Sequence, residues 1–236
     1  MVIKIEDMTW KEVEEYLEVR QDLILTMNSC EQHGMHLPLN TDSLVTEYMA
    51  EYLSKKTGVA IAPNFNYSIN LPCDKYFSGT TSLTVEGLKK TMWSILQWWE
   101  FQGFKRFYLL TYHGDPFHVE ILSKFKENVF LIEMWEIEYA DILEKQSTIK
   151  HACEAETSVM LYLYPQKVKM DSVYEYDVSE SEFRGYLNHE KEGKIPNYKG
   201  ALGFPSFATQ LKGEVIVERM KDKVLKGYFS IVEKSK

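Results

Sequence analysis

Four apolar runs, separated by segments with helical periodicity, constrain the fold of this chain more than any other feature of its sequence. The runs span 22–28, 59–65, 106–114 and 129–137, the third running into a polar loop. Helical patterns lie around them at 8–20, 41–58, 82–104, 115–128, 153–165 and 206–236, and the stretch 166–200 is polar, aromatic and irregular. Strands that alternate with helices predict an α/β fold with a largely parallel central sheet flanked by helices.

Local signals mark the ends of several predicted helices. Thr9 is a candidate N-cap of the first helix, and Gly58 is suited to end the second. Ser82 or Thr84 is expected to cap the third helix.

Charge and hydropathy argue against two classes of partner. A net charge of −8, with no run of four Lys or Arg, argues against a general nucleic-acid binder. No apolar run approaches the roughly 20 residues of a membrane span, and the first ten residues carry charges where a signal peptide has its apolar core. Three scattered cysteines, Cys30, Cys73 and Cys153, fit a reducing compartment. The sequence therefore predicts a cytoplasmic protein with neither a membrane nor a nucleic-acid partner.

Side chains that can bind metals follow three of the predicted strands. They are Glu31, His33, His36 and Asp42 after the first strand, His113 and Asp115 after the third, and His151, Glu154 and Glu156 beyond the fourth. In parallel sheets, ligands bind outside the carboxyl ends of the strands, so these groups are expected at one edge.

Two histidines and three carboxylates of this set suit a dinuclear site. Mixed imidazole and carboxylate ligands favour Zn²⁺, Mn²⁺ or Fe²⁺. The five are too many for one open zinc site but fit two metals that share a carboxylate, an arrangement typical of hydrolysis. They are Glu31, His33, Asp42, His113 and Glu156. Taken singly, each has a simpler interpretation: a loop histidine can be a hydrogen-bonding residue, Asp42 a helix cap, and Glu156 a solvated helix residue.

Five segments, in order, resemble the motifs of the creatininase family. CEQHGMHLPLNTD (30–42) is similar to its E-Q-H-G-x-H-L-P-L-x-T-D signature, and HACEAETS (151–158) to its H-A-G-x-x-E-T-S segment. The other three segments are FSGTTSL (77–83), YHGD (112–115) and GFPSFATQLKG (203–213). The resemblance covers about residues 20–220 and implies one creatininase-like metallohydrolase domain over 1–236.

The resemblance assigns roles to the metal-binding residues. It implies two divalent ions per chain, with Glu31 and His33 on different metals and Asp42 bridging them. His113 and Glu156 match the remaining ligands.

The same resemblance implies roles in catalysis, substrate binding and assembly. His151 is expected near the substrate, where it could shuttle protons, and Ser78 and Tyr112 are expected to contact the substrate. Asp115 is left with three alternatives: ligand, catalytic base or helix cap before Pro116. The family also implies a homo-oligomer, usually a hexamer.

Departures from the family pattern bear on the substrate. YSINLPCDKY (67–76) lacks the histidine that the family often has there, and EKQSTIKHA (144–152) lacks the tryptophan with which creatinine-cleaving members wall the ring. The sequence thus predicts hydrolysis of a C–N bond in a small cyclic amide or formamide other than creatinine. Two alternatives stay open: a hydrolase that opens a keto-cyclitol ring, and a non-catalytic binding or assembly protein, which the altered TYHGDP loop (111–116) favours.

Overall fold

The apolar runs form one parallel sheet in a computed structural model, which describes residues 1–177 and 179–234. Within those residues the sheet has four strands, in the order β2-β1-β3-β4, and every neighbouring pair is parallel. The strands are β1 (Asp22–Thr26), β2 (Ala60–Ile61), β3 (Arg106–Thr111) and β4 (Val129–Glu133). The predicted α/β class is confirmed.

Helices cover both faces of the sheet. The α-helices of the described residues are α1 (Trp10–Val19), α2 (Thr41–Thr57), α3 (Val85–Gln102), α4 (Pro116–Ser123), α5 (Glu154–Leu163), α6 (Glu180–Leu187) and α7 (Gln210–Lys234), and all but α6 contribute to the apolar cores on the two faces. None of the described helices combines the length and apolarity that a bilayer crossing requires.

Alternate residues of the strands feed two apolar cores, as the pleat of a strand requires. Ile24, Tyr108 and Leu110 pack on the face covered by α2, α5 and α7. Leu23 and Phe107 point to the opposite face, with apolar side chains of α1, α3 and α4. The sheet therefore lies between two layers of helices, each with its own apolar core.

The predicted helix ends agree with the structure at three positions. Thr9 forms a capping box with Glu12, and Gly58 ends α2 in the left-handed conformation, with φ of 73°. Thr84 caps α3 by accepting a hydrogen bond from the Gly87 N–H. Ser82 instead accepts a hydrogen bond from the backbone N–H of Asn70.

Other predicted boundaries were wrong, for local reasons. The second strand has two residues because Pro63, which lacks an N–H, follows it closely. The fourth helix ends at Ser123 because the chain turns into β4, and the last begins at Gln210 after a short 3₁₀ turn at Pro205–Phe207.

The stretch 166–200, predicted as irregular, contains α6 (Glu180–Leu187). Its Phe183 packs with Tyr198 and Leu202, and with the partly buried Leu71 and Phe77. These contacts join segments far apart in the chain, so local periodicity could not reveal the helix.

Candidate metal centre

The five predicted ligands meet at the carboxyl edge of the sheet. Glu31 and His33 lie in the loop after β1, and Asp42 lies in the first turn of α2. His113 follows β3, and Glu156 lies in the first turn of α5. All five side chains belong to residues only 1–6% exposed.

The potential ligand atoms of the described residues form three groups, and within each group the atoms lie within 4.8 Å of one another. Two groups share the Asp42 carboxylate: Glu31, Asp42 and His113 form one, and His33, Asp42 and Glu156 form the other. The third consists of Glu31, His33 and His151. His113 Nδ1 is 2.9 Å from Glu31 Oε2 and 3.2 Å from Asp42 Oδ2. His33 Nε2 is 3.1 Å from Asp42 Oδ1 and 4.0 Å from Glu156 Oε2.

Backbone carbonyls orient both histidines. His113 Nε2 is 2.6 Å from the Ile69 carbonyl oxygen, and His33 Nδ1 is 3.1 Å from the Glu31 carbonyl oxygen. A neutral ring that donates one N–H to a carbonyl turns the lone pair of its other nitrogen toward the carboxylates, as in metal-ligating histidines.

This arrangement fits a pair of cations. Asp42 Oδ2 is buried and makes no hydrogen bond within the described residues, although His113 Nδ1 is close. Lone pairs that face each other at this distance need a proton or a cation between them. Ligands about 2.1 Å from one ion lie about 3.0–3.4 Å apart in octahedral or tetrahedral geometry, which matches the shorter separations. The donor set therefore suits two divalent ions bridged by Asp42.

The electrostatics of the cluster without a cation agree with that fit. Burial favours a neutral His33, but the carboxylates of Asp42, Glu156 and Glu31 together outweigh it and raise the pKa of His33 to about 10. Burial raises the pKa of Glu156 to about 8, and the Asp42 charge adds to that effect although His33 opposes it. Without a cation, His33 and Glu156 therefore tend to hold protons, and metal binding should displace these protons.

Tight turns hold the first ligand loop. Gly34 has φ of 67°, and a Cβ there would lie 2.8 Å from the ring of His36, so only glycine fits easily between the two histidines. From the FSGTTSL segment, Thr80 Oγ1 accepts a hydrogen bond from the Gln32 N–H, and the Thr81 N–H donates to the Cys30 carbonyl. Ser78 lies in the same turn and is exposed.

His151 lies beside the cluster and is more open to solvent. Its Nε2 is 2.7 Å from the Gln32 carbonyl oxygen and 3.9 Å from Glu31 Oε1, and its ring packs 4.5 Å from that of His33. Its side chain is 20% exposed. Burial lowers the pKa of His151, although Glu31 opposes this, so the neutral ring is favoured.

Asp115 caps α4, which confirms one of its three alternatives. Its Oδ1 accepts hydrogen bonds from the N–H groups of Phe117 and His118, and its Oδ2 is 2.7 Å from His189 Nε2. Among the described residues, it is in none of the potential ligand groups, and neither is His36, whose Nε2 lies 2.8 Å from Thr157 Oγ1.

Tyr112 lies under the site. Its hydroxyl is buried without a hydrogen-bond partner in the described part of the chain. Burial raises the pKa of Tyr112, and the Glu156 carboxylate contributes.

The simpler interpretations of two ligands are wrong. Asn40 takes the N-cap position of α2, so Asp42 lies within the helix with its oxygens toward the histidines. Glu156 is buried and accepts a hydrogen bond from the N–H of Ala152, which has a left-handed φ of 48°.

Three polar residues beside the cluster were not predicted from the sequence. Gln32 Nε2 donates to Asp74 Oδ1 at 3.1 Å and to the Tyr198 hydroxyl at 3.3 Å, and it lies 3.0 Å from His151 Nε2. Burial raises the pKa of Asp74 to about 8, and the Glu31 carboxylate adds to it. Gln32 was visible within the E-Q-H run, whereas Asp74 and Tyr198 had no local signal.

Similar proteins place the fold and the cluster in one family. The family model described as creatinine amidohydrolase (creatininase) matches residues 6–227. A creatinine amidohydrolase from Pseudomonas putida is 26% identical over 239 residues, covering 90% of each chain. A 3-dehydro-scyllo-inosose hydrolase from Thermotoga maritima is 27% identical over 177 residues, which span 70% of this chain and 57% of that protein.

Solved structures agree on the fold. A structure named "Creatininase Mn" superposes with a TM-score of 0.75 at 22% identity, covering 95% of this chain and 96% of the other. Together with the match over residues 6–227, the parallel sheet and the buried cluster at its edge, this establishes that the chain belongs to the creatininase family of hydrolases.

Proposed function

We propose that this protein is a metal-dependent hydrolase that uses two divalent ions to cleave a C–N bond in a small cyclic amide or formamide. The observation that carries the proposal is the pair of ligand groups that share Asp42. The hydrolase names of the two relatives support the reaction class. Zn, Mn and Fe all suit the mixed donor set.

The ligands divide into two sets in this proposal. Glu31 and His113 would hold one ion, His33 and Glu156 the other, and Asp42 both. Two such ions supply Lewis acidity toward a carbonyl oxygen and lower the pKa of a water molecule.

His151 would move the proton. The Gln32 carbonyl holds its neutral ring at the edge of the cluster, where it is more open to solvent than the five candidate metal ligands. It would accept a proton from the attacking water and return it to the leaving nitrogen. Tyr112 and Ser78 are proposed substrate contacts, and the buried, unpartnered Tyr112 hydroxyl supports the first of these in the described structure.

The substrate is proposed to differ from creatinine. The segment 144–152 has no aromatic side chain that could stack against the flat ring of creatinine. Trp135 packs against the apolar core instead. Opening of a keto-cyclitol ring is the second candidate, supported by the Thermotoga maritima relative, whose identity is as high as that of the creatinine amidohydrolase. Five ligands placed together argue against a non-catalytic role.

We also propose a cytoplasmic homo-oligomer, a hexamer by family resemblance. Large apolar side chains support an interface: Trp10 of α1 is 74% exposed, and Trp98 and Phe101 of α3 are 71% and 90% exposed. Such side chains are enriched at protein interfaces. The free Cys30, Cys73 and Cys153 support a reducing compartment.

Metal analysis with a matched variant tests the hydrolase proposal. We expect about two Zn, Mn or Fe ions per chain in the purified protein, and turnover within a panel of cyclic amides, formamides and keto-cyclitols. Asp42→Ala should lose both ions, because both groups need this carboxylate, and its activity should fall by more than the roughly 100-fold typical of outer-shell changes.

The control is Asp141→Ala, which removes an exposed carboxylate paired with Arg219. It should keep both ions and full activity. Less than one ion per wild-type chain after reconstitution with Zn²⁺ and with Mn²⁺ would rule out the dinuclear mechanism.

A further inference from the structure

A buried carboxylate outside the ligand set lies close to the reaction centre. Asp74 belongs to the 3₁₀ turn Pro72–Tyr76 and is 1% exposed. Its Oδ1 accepts a hydrogen bond from Gln32, and its Oδ2 is buried with no partner among the described residues. A buried acceptor left unpaired is costly, so an unpaired oxygen beside a catalytic centre calls for an explanation.

Asp74 is connected to that centre through one side chain. Gln32 stands between the ligands Glu31 and His33 in the chain, and its Nε2 lies within hydrogen-bond distance of both Asp74 Oδ1 and His151 Nε2. A group that fits between the cluster and Asp74 would therefore touch His151 as well.

The segment that contains Tyr198 and Gly200 packs closely against Gln32. Tyr198 lies 3.3 Å from Gln32 Nε2, and its ring packs edge-on against Phe77 at 5.6 Å. A Cβ at Gly200 would lie 1.8 Å from Gln32 Oε1, so glycine is needed for this close approach. The polar wall formed by Gln32, Asp74 and Tyr198 is thus enclosed, and its one unpaired oxygen is on Asp74.

A purely structural role accounts poorly for Asp74. Glu154 is equally buried, but its oxygens receive two backbone N–H groups and the Lys212 ammonium. Asp74 receives one amide hydrogen bond from Gln32 and no ammonium group within the part of the chain that the structure describes. Its run, 67–76, is also where this chain departs from the family pattern.

We propose that Asp74 binds the substrate and sets its specificity, with Oδ2 accepting a hydrogen bond from an O–H or N–H group next to the scissile amide. This inference rests on the proposed amide hydrolase function. The preferred substrate is a small amide with a hydroxyl or ammonium substituent, and a carboxylate at that position is rejected because it would face Asp74 and supply no donor.

Four matched lactams test this in the metal-loaded protein by calorimetric titration at pH 9, where Asp74 is ionised although burial raises its pKa to about 8. They share the 2-pyrrolidinone ring and differ at carbon 5, which carries a methyl, hydroxymethyl, aminomethyl or carboxylate group. The wild type should bind the hydroxymethyl and aminomethyl compounds about 10- to 100-fold more tightly than the methyl compound, as for a hydrogen bond to a charged group. The carboxylate compound should bind most weakly.

Two substitutions separate charge from hydrogen bonding. Asp74→Asn keeps the size of the side chain and an oxygen for Gln32, so the preference for aminomethyl over carboxylate should shrink about tenfold or more. Asp74→Ala should also lose the preference for hydroxymethyl over methyl. Both variants should keep the metal content of the wild type.

Glu100→Gln is the control, because it makes the same charge change at a carboxylate bound to Lys126 and Asn128, by the amino ends of the strands. It should leave the order of affinities unchanged. The inference is overturned if the wild type shows no such order, if Asp74→Asn leaves it intact, or if that variant loses metal. Binding does not require turnover, so the two failures can be told apart: an Asp74-dependent order in a protein without hydrolytic activity would overturn the proposed function and leave Asp74 as a ligand-binding residue.

Discussion

Glu154 and Glu156 lie two residues apart in the first turn of α5, and both are buried, but their surroundings differ. The Glu154 carboxylate accepts hydrogen bonds from the N–H groups of Glu144 and Lys145 and from the Lys212 ammonium, at 2.6 Å. Residues two apart on a helix point about 200° apart, so the two carboxylates enter different environments.

Glu156 faces the metal-binding cluster instead. It accepts one backbone hydrogen bond, from Ala152, and its nearest charged neighbours include Asp42 as well as His33. Glu154 thus forms a buried ion pair with a lysine, whereas Glu156 lies among groups that could hold a metal ion.

The close approach of α7 to α5 at Gly213 brings Lys212 within reach of Glu154. A Cβ at Gly213 would lie 1.9 Å from the Ser158 carbonyl oxygen, so α7 can approach α5 this closely only with glycine. This gives a physical reason for the last glycine of the GFPSFATQLKG segment.

The largest expected effect on stability is that of Lys212→Met. It leaves the Glu154 charge buried without its cation and should lower the free energy of unfolding by about 2–4 kcal/mol. Urea denaturation of chelator-treated protein measures this. Lys223→Met, which removes a partly exposed pair with Glu136, should cost less than about 1 kcal/mol. Equal effects of the two substitutions would contradict the distinction drawn for Glu154.

A second pair of variants compares the two glutamates directly. In metal-free protein, Glu154→Gln should destabilise the fold by about 1–3 kcal/mol because it breaks a satisfied buried network. Glu156→Gln should change stability by less than about 1 kcal/mol. Burial raises the pKa of Glu156 to about 8, so the amide replaces a largely neutral group at pH 7, and its oxygen can still accept from the Ala152 N–H. Metal analysis should show the opposite order: Glu156→Gln loses an ion and Glu154→Gln keeps both. If Glu156→Gln were the more destabilising of the two, the comparison would fail.

The last substitution, Ser158→Ala, should have a smaller effect than Lys212→Met. Ser158 Oγ donates to the Glu154 carbonyl oxygen and accepts from the Thr209 N–H, which links α5 to the start of α7. Its loss should cost about 1 kcal/mol of stability and leave the metal content unchanged. A fall in metal content would instead indicate that Ser158 helps to position Glu156.

Much of the candidate site could be predicted because its residues follow strands of a parallel sheet. Glu31, His33 and His113 come directly after β1 and β3, and parallel strands bring such loops to one edge. The proximity of Glu156 to His33 could not be predicted in this way. The stretch between β4 and α5 has no helical or strand periodicity, so the sequence does not show where it places α5. Glu156 was a candidate because it lies beyond the fourth strand, and the family resemblance agreed, but its contact with His33 is a product of packing.

The sequence by itself determined the α/β class, the caps at Thr9, Gly58 and Thr84, and the identity of five residues able to hold metals. These follow from local periodicity, local hydrogen bonding and side-chain chemistry. Only the tertiary structure decided that Asp115 caps a helix and pairs with His189, and that Glu154 meets Lys212 while Glu156 meets the cluster. It also decided that Asp74 Oδ2 has no hydrogen-bond partner within the described residues. The reason is that a partner distant in sequence sets the charge and solvation around a buried carboxylate, and no local pattern records that partner.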